Sequence, residues 1–154
     1  MKKIYLDVDG VLLTNKHTQA ASYGDEFIDA IVSKYDCFWL TTHCKDGDTS
    51  IVLDRLSKYY SADTMKKLQK VKPTIWNTLK TEAIDFKSDF QWIDDYVFTA
   101  EKKILEQKNC LDRLLIVDLN KENELLKICS DHLYSIDHCF IKQLSINHLS
   151  YSCA

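Results

Sequence analysis

Short apolar runs alternate with helical patterns along this chain. Four of the runs have the length of a strand, and a polar residue follows each one: IYL before Asp7, CFWL before Thr41, FQWI before Asp94 and LLIV before Asp118. None of them shows a long alternation of polar and apolar residues, which is the pattern of strands that are covered on both faces. We therefore predict buried strands of a parallel sheet.

Between these runs, apolar residues recur with the period of a helix. Three faces can be traced: Phe27, Ile28, Ile31, Val32 and Tyr35; then Val52, Leu56, Tyr59 and Tyr60; then Leu125, Leu126, Cys129 and Leu133. Asn120 is predicted to cap the last helix, with Glu122 and Glu124 in its first turn. Strands that alternate with helices predict an α/β fold: a three-layer, Rossmann-like parallel sheet wrapped by helices.

The length and charge of the chain limit what this fold can be. At 154 residues, of which 45% are hydrophobic, one globular domain over 1–154 is expected. Its core is predicted over about 1–136, whereas 137–154 has no clear period and is left open as an edge strand, a last helix or a frayed tail. The net charge of −3 does not indicate a nucleic-acid partner, although one remains possible.

Cysteine usage bears on the compartment. The six cysteines form no C-x-x-C pair, and several lie inside apolar runs. This pattern favours buried free thiols in a reducing compartment over a disulfide framework. No stretch approaches the ~20 apolar residues of a membrane span. The apolar run at the start of the chain is too short and too acidic for a signal peptide. We expect a cytoplasmic protein without a membrane partner.

The polar residues that end the strands are the candidate functional residues. In open parallel sheets, ligands bind outside the carboxyl ends of the strands. Asp7 ends the first run, the threonines of WLTTH end the second, and the acidic pair of WIDD ends the third. Lys80, within LKTEAI, is predicted near the start of a helix, and Lys72 is the fallback for the same role.

This ordered set resembles the haloacid dehalogenase-like (HAD) hydrolase superfamily. LDVDGVL resembles its first motif, WLTT its second, LKTEAI its third and WIDD its fourth. The resemblance covers residues from about 2 to 117. The first motif is specific in this context, whereas the other three gain force from their order and spacing. The WLTTH variant is also similar to that of small HAD proteins associated with RNA repair.

The resemblance implies a magnesium site and two acids with different roles. Mg²⁺ prefers oxygen ligands, and Asp7, Asp94, Asp95 and the backbone carbonyl of Asp9 are the implied donors; Asp95 is also open as a residue that orients the site. Asp7 would be the nucleophile and Asp9 the general acid and base. The neighbouring negative charge and partial desolvation are expected to raise the pKa of Asp9.

The remaining motif residues are implied to bind the phosphoryl group. Thr41 would donate its hydroxyl and a backbone N–H to phosphoryl oxygens, with Thr42 nearly equal as a candidate. Lys80 would balance the negative charge of the transition state. Gly10 would allow the turn that brings Asp9 over the site, and His43 would contact substrate.

The implied activity is that of a Mg²⁺-dependent phosphatase that hydrolyses a phosphate monoester through an aspartyl-phosphate on Asp7. The presence of the second acid, Asp9, favours phosphoryl transfer over cleavage of a carbon–halogen bond, because a halide leaving group needs no proton. A non-catalytic binding or regulatory module of the same fold, or a phosphotransferase, remains an alternative. Segments 13–23 and 44–80 leave no room for a large cap domain. We therefore expect a phosphorylated substrate, large enough in the case of a macromolecule to cover the site, or an oligomer that closes it.

Overall fold

The protein is an α/β structure built on four parallel strands. The computed structural model describes residues 1–133; the C-terminal segment 137–154 lies outside them. The strands are β1 (Lys3–Leu6), β2 (Asp36–Trp39), β3 (Phe90–Asp94) and β4 (Leu114–Ile116), in the sheet order β2-β1-β3-β4. Each coincides with one of the four predicted apolar runs, and all neighbouring pairs are parallel, as predicted.

Helices flank this sheet and connect its strands, as in a Rossmann-like fold. They are α1 (Gly24–Lys34), α2 (Ser50–Ser57), α3 (Ala62–Leu68), α4 (Thr99–Gln107) and α5 (Glu124–Ile128). Short 3₁₀ helices cover Thr42–Cys44, Lys80–Ala83 and Leu111–Arg113, and a π-helical turn, Cys129–Leu133, follows α5. No helix within residues 1–133 is long and apolar enough to cross a membrane.

Alternation along each strand sends side chains into two separate hydrophobic layers. Ile4 and Leu6 of β1 pack with Phe27 of α1 in the larger layer. Tyr5 points the other way and packs with Trp92 in the layer that α4 covers. Apolar residues on both faces explain why the strands read as continuous apolar runs instead of an alternating pattern.

The segment between β2 and the third motif is part of the larger layer. Val52, Leu56 and Leu68 from α2 and α3 are fully buried there. The Tyr60 hydroxyl donates to the carbonyl of Leu12 at 2.6 Å. Residues 50–68 therefore fold against α1 and the first loop, where they complete the core.

The predicted cap of the last helix is wrong. Asn120 bonds instead to the carboxylate of Asp118, through its backbone N–H at 3.1 Å and its side chain at 3.0 Å. The helix begins at Glu124, after Asn123 in a left-handed conformation (φ 57°). Glu124 reaches back to accept a hydrogen bond from the backbone N–H of Asp118 at 3.1 Å, so these contacts hold residues 118–123 in a turn.

The described cysteines match the expectation of free thiols. Cys37, Cys44, Cys110 and Cys129 are all buried and unbridged. Burial raises the pKa of Cys37 and of Cys129 to about 12, which keeps both thiols protonated and inert at neutral pH. Cys139 and Cys153 lie outside the described residues.

Candidate functional site

The strand order brings the first and third predicted strand ends side by side. From β1 the chain moves outward to β2 on one side, and β3 and β4 lie on the other. The backbone N–H of Asp7 donates to the carbonyl of Ile93 at 3.0 Å, which places Asp7 level with Asp94. A parallel sheet whose chain leaves in both directions opens a crevice between those strands, where ligands bind.

Three carboxylates converge in this crevice. One oxygen each from Asp7, Asp94 and Asp95 lies within 4.8 Å of the other two. Asp94 is fully buried and Asp7 is 8% exposed. Three acids held this close repel one another, so the arrangement calls for a compensating cation.

Lys80 supplies one such cation. Its ammonium donates to Asp94 Oδ2 at 2.6 Å and to Asp7 Oδ2 at 3.0 Å, and 12% of its side chain is exposed. Burial alone would favour the neutral amine, but the charges and hydrogen bonds of the two carboxylates outweigh it and raise the pKa of Lys80. Lys72, the fallback candidate, pairs instead with Asp36, the first residue of β2.

Asp94 is fixed from two further directions. The indole N–H of Trp92 donates to its Oδ2 at 3.0 Å, and the backbone N–H of Tyr96 donates to its Oδ1 at 3.2 Å. Burial, and then the charge of Asp7, raise the pKa of Asp94 well above its usual range, and Lys80 only partly offsets them. In the absence of a further cation, this raised pKa favours the protonated form of Asp94.

Glu101 of α4 positions Lys80. Although it is a carboxylate, it is 2% exposed. One oxygen accepts from the backbone N–H of Lys80 at 2.7 Å and the other from that of Phe98 at 2.9 Å. This bidentate contact ties the turn that carries Lys80 to the start of α4. Sequence reasoning missed Glu101, whose acidic side chain resembles any other at the first turn of a helix.

Asp9 lies apart from the carboxylate cluster and has two partners of its own. Its Oδ2 is 2.7 Å from His43 Nε2, and its Oδ1 accepts from the guanidinium of Arg55 at 2.8 Å. The expectation of a raised pKa is wrong. Burial does favour the neutral acid, but the hydrogen bonds from His43 and Arg55, with the charge of Arg55, outweigh it and hold the pKa of Asp9 below its ordinary value.

The residues of WLTTH separate in space. Thr41 is buried, and its hydroxyl oxygen accepts a weak hydrogen bond from the backbone N–H of His43 at 3.4 Å, which starts the 3₁₀ turn. That bond leaves the hydroxyl hydrogen of Thr41 available to a ligand oxygen. Thr42 is exposed at the start of the same turn, and His43 points to Asp9.

Gly10 meets a steric requirement at the edge of the cluster. Its φ of +75° lies in the left-handed region, and a Cβ at this position would stand 2.1 Å from Asp95 Oδ2. The side chain of Asn15 donates to the same oxygen at 2.8 Å. The loop after β1 therefore packs directly on Asp95, and Gly10 contributes by its lack of a side chain.

Arg55 is the main residue that sequence reasoning missed. It lies on α2, 46 positions from Asp9 along the chain, between the buried residues Val52 and Leu56. In the sequence it is a single cation on an amphipathic helix, which is the usual pattern of a solvated face. Arg55 reaches Asp9 because α2 packs on the core. No local sequence motif predicts this contact.

Comparison with known proteins identifies no relative: no family model, no curated protein and no solved structure matches this chain. A function must therefore come from the chemistry of the residues that meet at the carboxyl edge of the sheet.

Proposed function

We propose that this chain is a Mg²⁺-dependent phosphatase of the HAD-like superfamily that acts on a phosphate monoester. The observation that carries the proposal is the meeting of Asp7, Asp94 and Asp95 within 4.8 Å at the switch point of the sheet, with Lys80 bridging two of them. These four residues come from three of the motifs that resemble that superfamily. Their convergence is what a phosphoryl-transfer site requires.

The donor set suits magnesium. Mg²⁺ takes oxygen ligands, commonly one or two carboxylates with several waters, and the cluster offers three carboxylates with one ammonium as a counter-charge. The positive charge of Lys80 at this point indicates that the cluster stabilises cations. Asp7, Asp94 and Asp95 would hold the ion, which would neutralise the repulsion between the nucleophile and the phosphate dianion.

Asp7 is the nucleophile of the proposed reaction. One of its carboxylate oxygens attacks phosphorus, the bond from phosphorus to the ester oxygen breaks, and an aspartyl-phosphate forms. A water then attacks that phosphorus, inorganic phosphate leaves, and the carboxylate of Asp7 is regenerated. Lys80, 3.0 Å from Asp7 Oδ2, stabilises the negative charge that develops on the transferring group.

Asp9 moves the proton in both steps. It gives a proton to the departing ester oxygen and later takes one from the attacking water. Because its pKa is lowered, Asp9 rests as a carboxylate, so it must take up a proton before it can give one to the ester oxygen. His43 Nε2, 2.7 Å from Asp9 Oδ2, is placed to supply that proton and to take it back after the second step.

The surroundings of the site favour a substrate that covers it. Residues 50–68 belong to the core of the fold and supply no separate lid. Asp9, Arg55 and His43 keep between 27% and 37% of their side chains exposed, so the leaving-group side of the site is open. A large phosphorylated substrate, or a second copy of the chain, would exclude water there.

The experiment is hydrolysis of para-nitrophenyl phosphate by purified protein with and without MgCl₂. Asp7→Asn should abolish the activity, and a chelator should do the same. Asp118→Asn is the matched control, since Asp118 follows β4 as Asp7 follows β1 but binds only within its own turn; its activity should match wild type. Equal activity in wild type and Asp7→Asn would refute the proposed nucleophile.

An inert wild type would support the alternative. If the protein hydrolyses no ester in a broad panel and also fails to bind a metal-fluoride mimic of phosphate, then Lys80 serves as the permanent counter-ion of the cluster. The chain would then be a non-catalytic binding module.

A further inference from the structure

The two oxygens of the Asp9 carboxylate have chemically different partners. Oδ1 accepts from the Arg55 guanidinium at 2.8 Å, and Oδ2 lies 2.7 Å from His43 Nε2. A guanidinium keeps its protons under all physiological conditions, whereas an imidazole nitrogen can be either a donor or an acceptor. Oδ1 is therefore always bound to a cation, and Oδ2 is the oxygen that can exchange a proton.

Arg55 is held in place by the core beneath it. Val52 and Leu56, which flank it on α2, are both fully buried. Its Nε–H is also buried and makes no hydrogen bond within residues 1–133. A buried N–H without a partner has lost its hydrogen bonds to water and gained none within the protein. The position therefore carries a stability cost, which is common where a side chain serves function.

We propose that Arg55 is the positioning residue of the acid/base carboxylate. By binding Oδ1 it fixes the rotation of the Asp9 side chain and leaves Oδ2, beside His43 Nε2, as the oxygen that exchanges the proton. In the first step Oδ2 passes a proton from His43 to the ester oxygen as the bond to phosphorus breaks; in the second, Oδ2 takes a proton from the attacking water and returns it to His43. This inference rests on the proposed phosphatase function.

The role of Arg55 should depend on the leaving group. An oxygen that leaves as a weakly basic phenolate needs little help from an acid, whereas a more basic phenolate or an alkoxide needs a proton in the transition state. Loss of Arg55 should therefore be costly for basic leaving groups and mild for para-nitrophenolate. A residue that only stabilised the fold would slow all substrates alike.

The test is a series of aryl phosphates from para-nitrophenyl to para-methoxyphenyl, with kcat/KM as the readout because it covers the first chemical step. For Arg55→Ala we expect a loss of about 10²-fold on the para-methoxyphenyl ester, at the lower end of what general acid catalysis contributes. The para-nitrophenyl ester should lose only a small fraction of that. Arg55→Lys should fall between, since an ammonium can still bind Oδ1.

Chemical rescue adds a second readout. Millimolar guanidinium chloride should restore part of the activity of Arg55→Ala on the para-methoxyphenyl ester, whereas sodium chloride at the same concentration should not. Lys58→Ala, at the exposed residue that follows the same helix, is the matched control and should behave as wild type throughout. Circular dichroism and the unfolding midpoint of each variant establish that it is folded.

The outcomes separate the two proposals. If wild type is active and Asp7→Asn is not, but folded Arg55→Ala loses the same factor on every ester or loses nothing, Arg55 has no positioning role and the phosphatase proposal stands. If Asp7→Asn keeps wild-type activity, the proposed reaction fails, and the Arg55 inference fails with it.

Discussion

The two halves of the candidate site are built in opposite ways. On the side of the proposed nucleophile, Asp94 has no exposed side-chain surface, and Asp7 and Lys80 keep 12% each. On the side of the proposed acid and base, Asp9 and Arg55 keep 37% each. The pKa of Asp94 is raised by burial and by Asp7, whereas that of Asp9 is lowered by its partners.

In the proposed mechanism, this difference separates two physical tasks. A buried cluster of like charges is costly, and it suits a site that gains a cation and a phosphoryl group. A half-exposed carboxylate with hydrogen-bond donors exchanges protons readily with water and substrate. The same pair of motif acids, two positions apart in sequence, thus enters two environments: Asp7 joins the carboxylate cluster and Lys80, whereas Asp9 joins His43 and Arg55.

The largest expected effects are on catalysis. Asp7→Asn should reduce kcat/KM to background for every ester, because the nucleophile is gone. Asp9→Asn should cost about 10²–10⁴-fold, the usual contribution of a general acid or base, and less for para-nitrophenyl phosphate than for more basic leaving groups. If both variants lost the same factor on every ester, the two halves would not have separate tasks.

The next effect is on stability. Lys80→Met leaves two buried carboxylates without their counter-ion, which should lower the free energy of unfolding by about 3–5 kcal/mol. Arg55→Met removes a partly exposed pair and should cost under about 1 kcal/mol. Urea denaturation of both, with Lys58→Met as the exposed control, measures this contrast. MgCl₂ should stabilise Lys80→Met more than wild type, because the ion replaces the missing counter-charge. Equal stability of Lys80→Met and Arg55→Met would contradict the expected contrast between the two ion pairs.

A smaller effect is expected at the junction of the two halves. Gly10→Ala forces a Cβ onto Asp95 and a left-handed φ on alanine, at a cost of about 1–3 kcal/mol. Gly47→Ala is the control: its φ is +87°, but its nearest neighbour is a flexible isoleucine side chain at 3.2 Å. Gly10→Ala should therefore lose more stability than Gly47→Ala; the reverse order would mean that the loop moves away from Asp95 without cost.

The smallest effects are on the pH dependence of stability, and their signs differ between the halves. Asp94 has a raised pKa when folded, so its burial costs stability as pH rises above about 4, where the unfolded carboxyl ionises. Asp9 has a lowered pKa, so it adds stability above that pH and loses it as pH falls. Measured in chelator, Asp94→Asn should flatten the slope between about pH 4 and pH 8, and Asp9→Asn should flatten the slope below about pH 4. The same slope lost in both variants would contradict the assignment.

The sheet could be predicted because its signal is local. Each strand is a compact apolar run, and the rule that parallel strands end at one edge is enough to bring Asp7 near Asp94. The cap of α5 was mispredicted because Asn120 and Glu124 both bond to Asp118, a competition that no periodicity reveals. Arg55 and Glu101 depend on how helices pack on the sheet, so their contacts over 46 and 21 positions leave no local pattern.

The central claim is that Asp7 becomes phosphorylated during turnover. Borohydride reduces an aspartyl-phosphate to homoserine, which peptide mass spectrometry locates within the chain. In wild type quenched during turnover with MgCl₂ and para-nitrophenyl phosphate, we predict homoserine at position 7 and none without substrate. Steady hydrolysis with no homoserine at position 7, or with the label on another carboxylate, would contradict the account.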